Sequence, residues 1–273
     1  MSDQEEKILS AAKGWEVPES RSKEEIWDAL EKQIQESDDS KNFSRVSFKW
    51  LVAASIVLMA FGLVFLLFFQ STTVETGIAE VRSVELPDGS RVVLNANSRL
   101  GYVASSFERN RQLDFSGEAY FEIEPGAAFT VYLDGVEVTV LGTTFNIYAR
   151  NETKEVKCMT GKVQVSDTNS SVILESGLSI STSKGKLEEV ASNFEISNAI
   201  SWQEGKFLFT NAPLSRVVKE LEIQYGVTVQ ADGLEGRYYS GYFDNTNLEK
   251  AVKKVFSPMG YSYEISDKKI LIK

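Results

Sequence analysis

Glu118-Ala119-Tyr120-Phe121-Glu122-Ile123-Glu124 alternates between polar and apolar positions along its whole length. Successive side chains of an extended chain point to opposite faces, so Ala119, Phe121 and Ile123 share one face and the three glutamates share the other with Tyr120. The pattern predicts a strand buried on one side, the mark of an antiparallel all-β domain. Carboxylates two residues apart on a strand face sit roughly 6.5–7 Å from each other, a separation within the range glycoside chemistry uses. Nothing nearby signals the burial that would raise one carboxyl and divide acid from base. The three are therefore read as a solvated strand face.

The neighbouring segments have the same character. Arg91-Val92-Val93-Leu94, Gln112-Leu113-Asp114-Phe115, Val136 to Leu141, Lys162-Val163-Gln164-Val165 and Ser171-Val172-Ile173-Leu174 are short, rich in β-branched residues and bounded by Gly, Asn, Asp and Ser. Leu86-Pro87-Asp88-Gly89-Ser90 is a tight turn, in which proline presets φ at the first corner and glycine accepts a positive φ. Residues 70–200 are thus expected to form an all-β domain. Chemistry is restricted by what is missing. The 273 residues include no histidine, which removes Ser-His-Asp and Cys-His catalysis, His-bearing zinc sites and imidazole switching. Cys158 is the only cysteine, so no intrachain disulfide forms, and in Val156-Lys157-Cys158-Met159 it reads as a small buried side chain. A formal net charge of −10 disfavours nucleic acid, whose phosphates require clustered Lys and Arg. No cofactor or metal is implied, and the chain is not expected to be an enzyme.

From residue 201 the pattern changes. Trp202 to Phe209 reads as a strand, and Asn211-Ala212-Pro213-Leu214 opens a helix, since proline suits the first turn. Leu214, Val217, Val218, Leu221 and Tyr225 face one way, and Gly226 ends the helix. Strands at Val227-Thr228-Val229-Gln230 and Tyr239 to Phe243 follow. A second helix, aligned on Leu248, Ala251, Val252 and Val255, stops at Ser257-Pro258-Met259-Gly260. Tyr261 to Ile265 and Ile270-Leu271-Ile272 close the module around Asp267-Lys268-Lys269. The order βαββαββ over residues 201–273 predicts a small α+β sandwich. An open strand edge there can take a strand from a partner, or the module can serve packing alone.

Upstream, Trp50 to Phe69 holds no charge and no proline. About twenty helical residues at 1.5 Å each cover the roughly 30 Å hydrocarbon core of a bilayer, so residues 50–69 are expected to form a single transmembrane helix in contact with lipid. A signal-peptide core is shorter and does not begin fifty residues in. Lys41, Arg45 and Lys49 precede the run, whereas Gln70 to Val81 has no basic residue, which predicts residues 1–49 inside and everything after 70 outside. Within 1–49, Ser22-Lys23-Glu24-Glu25 fits a capping box. Ile26, Trp27, Leu30 and Ile34 then fall on one helix face. A weaker helical piece around Ile8, Leu9 and Ala12 ends before Val17-Pro18, and Ser37-Asp38-Asp39-Ser40 reads as a linker. Two short helices bury too little to fold alone, so the Trp-Ile-Leu stripe points to a partner, Trp being a frequent binding anchor. The alternative is a solvated tether or one lying on lipid.

Taken together, Leu86-Pro87-Asp88-Gly89-Ser90-Arg91-Val92-Val93-Leu94-Asn95, Gly117-Glu118-Ala119-Tyr120-Phe121-Glu122-Ile123, Val140-Leu141-Gly142-Thr143-Thr144-Phe145-Asn146-Ile147 and Gly161-Lys162-Val163-Gln164-Val165, in that order and spacing, resemble the FecR family. The 201–273 module resembles the domain that follows the sensor in FecR-like proteins of Bacteroidetes-type bacteria, itself similar to the short N-terminal module of secretins and TonB receptors. The resemblance implies a single-pass anti-sigma factor of a bacterial inner membrane, with a cytoplasmic arm and an all-β periplasmic sensor. It implies an extracytoplasmic-function sigma factor as the inner partner, for which Ile26, Trp27, Leu30 and Ile34 are the candidate contacts. It also implies a signal from a TonB-dependent outer-membrane receptor and release by intramembrane proteolysis. Some relatives cleave themselves at a Gly-Thr bond, which makes Gly142-Thr143 the candidate here: the Thr143 hydroxyl would attack the Gly142 carbonyl of a strained peptide. The competing possibility is a membrane-tethered periplasmic interaction or envelope-assembly protein with no sigma-factor contact.

Overall fold

A computed structural model of the chain describes residues 22–38, 48–68, 71–183, 186–188, 191–192 and 194–273. The chain divides into two compact units, residues 1–64 and 65–273. The first helix, α1 (Lys23–Asp38), starts where the capping box places it. Ser22 Oγ accepts from the Glu25 amide at 3.3 Å, and the Glu25 carboxylate accepts from the Ser22 amide at 3.2 Å. The helix runs through Ser37 and Asp38, which the sequence marks as linker. The helical piece near Ile8, Asp39 and Ser40, and the flanking Lys41 and Arg45 lie outside the described residues.

The apolar run forms α2 (Phe48–Phe68), 21 residues long. Ser55 Oγ donates to the Val52 carbonyl at 2.8 Å, so its hydroxyl is satisfied within the helix. Phe69 and the side chains at 64 and 66–68 lie outside the described residues, and among the described residues no helix is long and apolar enough to cross a membrane.

In the second unit the chain lays down β1 (Thr72–Glu75), β2 (Arg82–Glu85), β3 (Arg91–Leu94), β4 (Arg99–Tyr102) and β5 (Gln112–Glu122). There follow β6 (Phe129–Leu133), β7 (Val136–Val140), β8 (Thr144–Arg150), β9 (Thr153–Cys158), β10 (Lys162–Ser166), β11 (Ser171–Glu175) and β12 (Leu178–Ser183), then the two-residue β13 (Lys186–Leu187) and β14 (Ala191–Ser192). These make one curled sheet with a long strand, β5, belonging to both halves. The first part of β5 lies between β4 and β6, and Gln112–Asp114 pairs in parallel with Thr130–Tyr132. The second part, from Gly117, lies between β3 and β8, both antiparallel. Gly117 makes the transfer possible: its φ is +112°, and a Cβ would fall 2.5 Å from Ser98 Cα, a position only glycine fills.

The core lies inside the curl. Val92, Leu94, Phe107, Phe129, Phe145 and Ile147 are fully enclosed, and Phe121 stacks on Phe145 with centroids 4.8 Å apart. The inward face of Glu118–Glu124 is as expected, with Ala119, Phe121 and Ile123 all buried. The Leu86–Ser90 turn is anchored inside: Asp88 accepts from the Ser90 amide at 3.1 Å and from Arg111 Nε at 2.6 Å.

After a short helix, α3 (Ile196–Ala199), come β15 (Lys206–Pro213), α4 (Leu214–Tyr225), β16 (Thr228–Gln230), β17 (Tyr238–Asp244), α5 (Leu248–Phe256), β18 (Tyr263–Ser266) and β19 (Lys269–Ile272). The order is the βαββαββ read from the sequence, in two small sheets, β15-β17 and β16-β19-β18. Pro213 sits one residue earlier than expected, at the end of β15 with ψ 133°, and Leu214 begins the helix. Gly226, φ +65°, closes α4 in the left-handed conformation, and Asn247 Oδ1 caps α5 by accepting from the Lys250 amide at 2.9 Å. Trp202, Phe207, Leu221, Phe243, Val252 and Ile270 form a second core. Val93 of β3 belongs to it as well.

Candidate functional site

That valine, on a strand of the sheet but packed in the second core, marks a seam between the two cores, and the seam holds the most unusual chemistry of the described residues. Val93 and Tyr120 stand on the outer face of β3 and β5 and pack against the second core. Between them and beside them lie buried polar side chains: Asn95, Glu118 and Asn146 from the sheet, Glu220 and Gln224 from α4. Residues 220 and 224 are one helical turn apart and face the same way. The Thr76–Ala79 loop adds a backbone bond, the Ala79 amide donating to the Ile223 carbonyl at 3.3 Å.

The side chains are joined in a continuous chain of hydrogen bonds. The Trp202 indole N–H donates to Asn146 Oδ1 at 3.2 Å, and Asn146 Nδ2 donates to Glu118 Oε1 at 3.3 Å. Asn95 Nδ2 donates to Glu118 Oε2 at 2.8 Å. Gln224 Nε2 donates both to Asn95 Oδ1 at 3.1 Å and to Glu220 Oε1 at 2.9 Å. Burial, and next the Glu220 carboxylate, raise the Glu118 pKa, while Arg150, the Asn95 amide and Arg216 pull it down. Sequence reasoning placed Glu118 on a solvated face, and the structure corrects this. The alternation within the strand is as read, but α4 covers the outer face at that position, so a half-buried strand becomes buried on both sides there. Glu122, on the same face, stays at the surface and pairs with Arg91 at 2.8 Å.

At the margin of the seam, Arg216 of α4 reaches Glu155 of β9 at 2.8 Å, and Lys157 reaches the same carboxylate at 3.1 Å. Burial works against the charge on Glu155, but Lys157 and Arg216 outweigh it and hold its pKa at about 2. The Arg216 guanidinium also lies 4.0 Å over the Tyr148 ring, whose hydroxyl burial pushes up to about 12.

The other sequence candidates lie apart from the seam. Gly142 is not left-handed; its need for glycine is a close approach, since a Cβ would lie 2.8 Å from Pro125 Cα. Thr143 is buried and its hydroxyl donates to the Lys162 carbonyl at 3.0 Å. Ile26, Trp27, Leu30 and Ile34 are all exposed on α1, Trp27 by 61 %. Cys158 is buried, and burial followed by Glu175 pushes its thiol to about 11, so it stays protonated and inert. Among the described residues no group of acidic or thiol side chains could hold a metal ion.

Sequence reasoning missed the seam although its residues were in view. The available signal was an amide between two apolar side chains, Phe145-Asn146-Ile147, and polar residues 220 and 224 inside an otherwise apolar helix face. A buried amide needs a partner, but those of Asn146 are 28 and 56 residues away, and Gln224 reaches Asn95 across 129.

Residues 72–164 match the family model described as FecR protein, and residues 206–272 match the one described as FecR, C-terminal. The two together span more than half of the chain. Two crystal structures of a protein from Parabacteroides distasonis, described as a candidate anti-sigma factor, are similar to this one, with TM-scores of 0.69 and 0.68. Each is 26 % identical, over 74 % of this chain and 98 % of its own. None of the curated proteins matches.

Proposed function

The chain belongs to the FecR family, and from that membership we propose that it is a membrane-anchored anti-sigma factor that holds an extracytoplasmic-function sigma factor until a signal arrives from outside. The observation that carries the reading is the pairing of two FecR-type modules with an exposed amphipathic helix at the other end of the chain. The similarity to the Parabacteroides protein supports the same role. In this reading α2 is the membrane span. The support is the uncharged sequence run from Trp50 to Phe69, which as a helix would rise about 30 Å, the thickness of the hydrocarbon core, while the cations at 41, 45 and 49 keep the arm on the cytoplasmic side.

On the inner side, α1 supplies the contact. Ile26, Trp27, Leu30 and Ile34 form its apolar stripe, and Trp27 is the anchor that a partner's pocket would desolvate. On the outer side, the all-β module and its C-terminal companion receive the signalling domain of a TonB-dependent receptor in the periplasm. The protein carries a message and transforms no substrate. The test is capture of the co-expressed sigma factor by the full chain from solubilised membranes, with Trp27→Ala and Leu30→Ala as variants. Loss of a hot-spot tryptophan is expected to cost about 2 kcal/mol, roughly a thirtyfold weaker Kd. Equal capture by wild type and both variants would remove α1 from the interface.

A further inference from the structure

The hydrogen-bond chain through the seam has a direction. Both Glu118 side-chain oxygens accept, Oε2 from Asn95 Nδ2 at 2.8 Å and Oε1 from Asn146 Nδ2 at 3.3 Å. With their NH2 groups turned toward Glu118, both amides present their carbonyl oxygens on the opposite side. On that side stand two donors from the C-terminal module: the Trp202 indole N–H at 3.2 Å from Asn146 Oδ1 and Gln224 Nε2 at 3.1 Å from Asn95 Oδ1. The indole N–H can only donate, and Gln224 keeps its NH2 on this side because the same nitrogen also donates to Glu220 at 2.9 Å.

We propose that Glu118 is the positioning residue of a latch between the sensor sheet and the C-terminal module: by fixing the flip state of Asn95 and Asn146 it creates the two acceptors on which the module docks. The inference goes beyond sigma-factor binding and stands on the seam alone. The two arms of the latch are unequal. Asn95 is held in its orientation twice over, because Oδ1 also accepts from the Ala96 amide at 2.7 Å. Asn146 has no second restraint of that kind among its hydrogen bonds, and its bond to Glu118 is the longer, 3.3 Å against 2.8 Å. When Glu118 loses acceptor capacity, Asn146 is the amide that turns. Its NH2 then meets the Trp202 N–H, donor against donor, with both side chains buried. The module lets go first at Trp202, where the 3-10 turn Ser201–Glu204 enters the second core.

Arg150, Arg216, Glu220 and Tyr148 surround the carboxyl group, so Glu118→Gln, which removes one acidic group from the seam, is compared with a double variant that restores the number of acidic groups while reversing donors and acceptors. Glu118→Gln puts an NH2 where a carboxylate oxygen was. In the double variant Glu118→Gln/Asn146→Asp, the new carboxylate at 146 accepts from Gln at 118 on one side and from Trp202 on the other, restoring the chain with its polarity reversed. The readout is hydrogen–deuterium exchange of the full chain in detergent, at the Gln203 and Gly205 amides that close the 3-10 turn, with β10 and β11 as the reference. Glu118→Gln is expected to speed exchange at the turn at least tenfold with the reference strands unchanged, and the double variant to return it to within about threefold of wild type. Trp202 emission, read with Trp15, Trp27 and Trp50 replaced by Phe, shifts to the red in the single variant and back in the double. Three outcomes would overturn the proposal: exchange at the turn unchanged in Glu118→Gln, exchange raised equally in the reference strands, or no recovery in the double variant. If Glu118→Gln fails to fold, the double variant decides alone, since a purely space-filling role gives no reason for a second polar change to rescue it.

Discussion

Arg111 shows how much one side chain can organise. Its guanidinium donates to Asp88 at 2.6 Å, to the Ala127 and Glu124 carbonyls at 2.7 Å each, and to Ser90 Oγ at 3.3 Å. The two charged side chains are 6 % and 8 % exposed. Removing one member of such a pair leaves the other charge buried without compensation, which costs about 3–5 kcal/mol. Arg111→Ala is expected to lower stability by that amount in a denaturant titration. Arg91→Ala, whose partner Glu122 is half exposed, is expected to cost less than about 1 kcal/mol. The turn at Leu86–Ser90 was legible from Pro87 and Gly89 because turn chemistry is local. That Asp88 serves a cation 23 residues away was not, since only tertiary structure brings the two together. At Thr143 the hydroxyl proton is committed to Lys162, and Gly142 carries no left-handed backbone. The purified chain is therefore expected to give one intact mass of 30.4 kDa, and two fragments meeting at 142/143 would show otherwise.

At the level of elements, β9 and α4 are clasped by Glu155 and Arg216, and the clasp makes stability depend on pH. The Glu155 pKa is lowered to about 2 from about 4.3 in an unfolded chain. Its contribution is thus fully present above the unfolded value and disappears as pH falls through the folded one. Between pH 4.5 and 2 the loss is expected to be on the order of 3 kcal/mol, seen as a falling unfolding midpoint. Glu155→Gln flattens that part of the profile and lowers the plateau at neutral pH; an unchanged slope in the variant would assign the acid sensitivity to other carboxylates. The existence and order of the strands and of α4 and α5 could be read because period two and period three-to-four patterns belong to each segment alone. What covers a strand's second face depends on another segment. For that reason Glu118 and Glu122, identical in the pattern, ended in different surroundings, one under α4 and one at the surface.

Across the whole molecule, the proposed function requires α1 and the β-rich modules to be on opposite sides of a bilayer, and Cys158 makes a direct test simple. It is buried, with a thiol pushed to about 11, so in the folded chain it presents almost no thiolate to a maleimide. A single added cysteine therefore reports alone. Ser2→Cys lies on the arm side of α2 and Glu235→Cys on an exposed loop of the C-terminal module. In spheroplasts treated with a membrane-impermeant maleimide, Glu235→Cys is expected to be labelled, and Ser2→Cys only after lysis, while the chain stays in the pellet after carbonate washing. The physical basis is the asymmetry of the flanks: moving Lys41, Arg45 and Lys49 across would carry three cations through hydrocarbon, whereas the stretch from 70 to 81 has no cation to retain. Substituting all three by Gln removes that asymmetry, and the labelling pattern is then expected to become mixed. Labelling of Ser2→Cys in intact spheroplasts of the wild-type flanks, or release of the chain by carbonate, would place both ends of the chain on one side and leave no route by which an outer signal reaches α1.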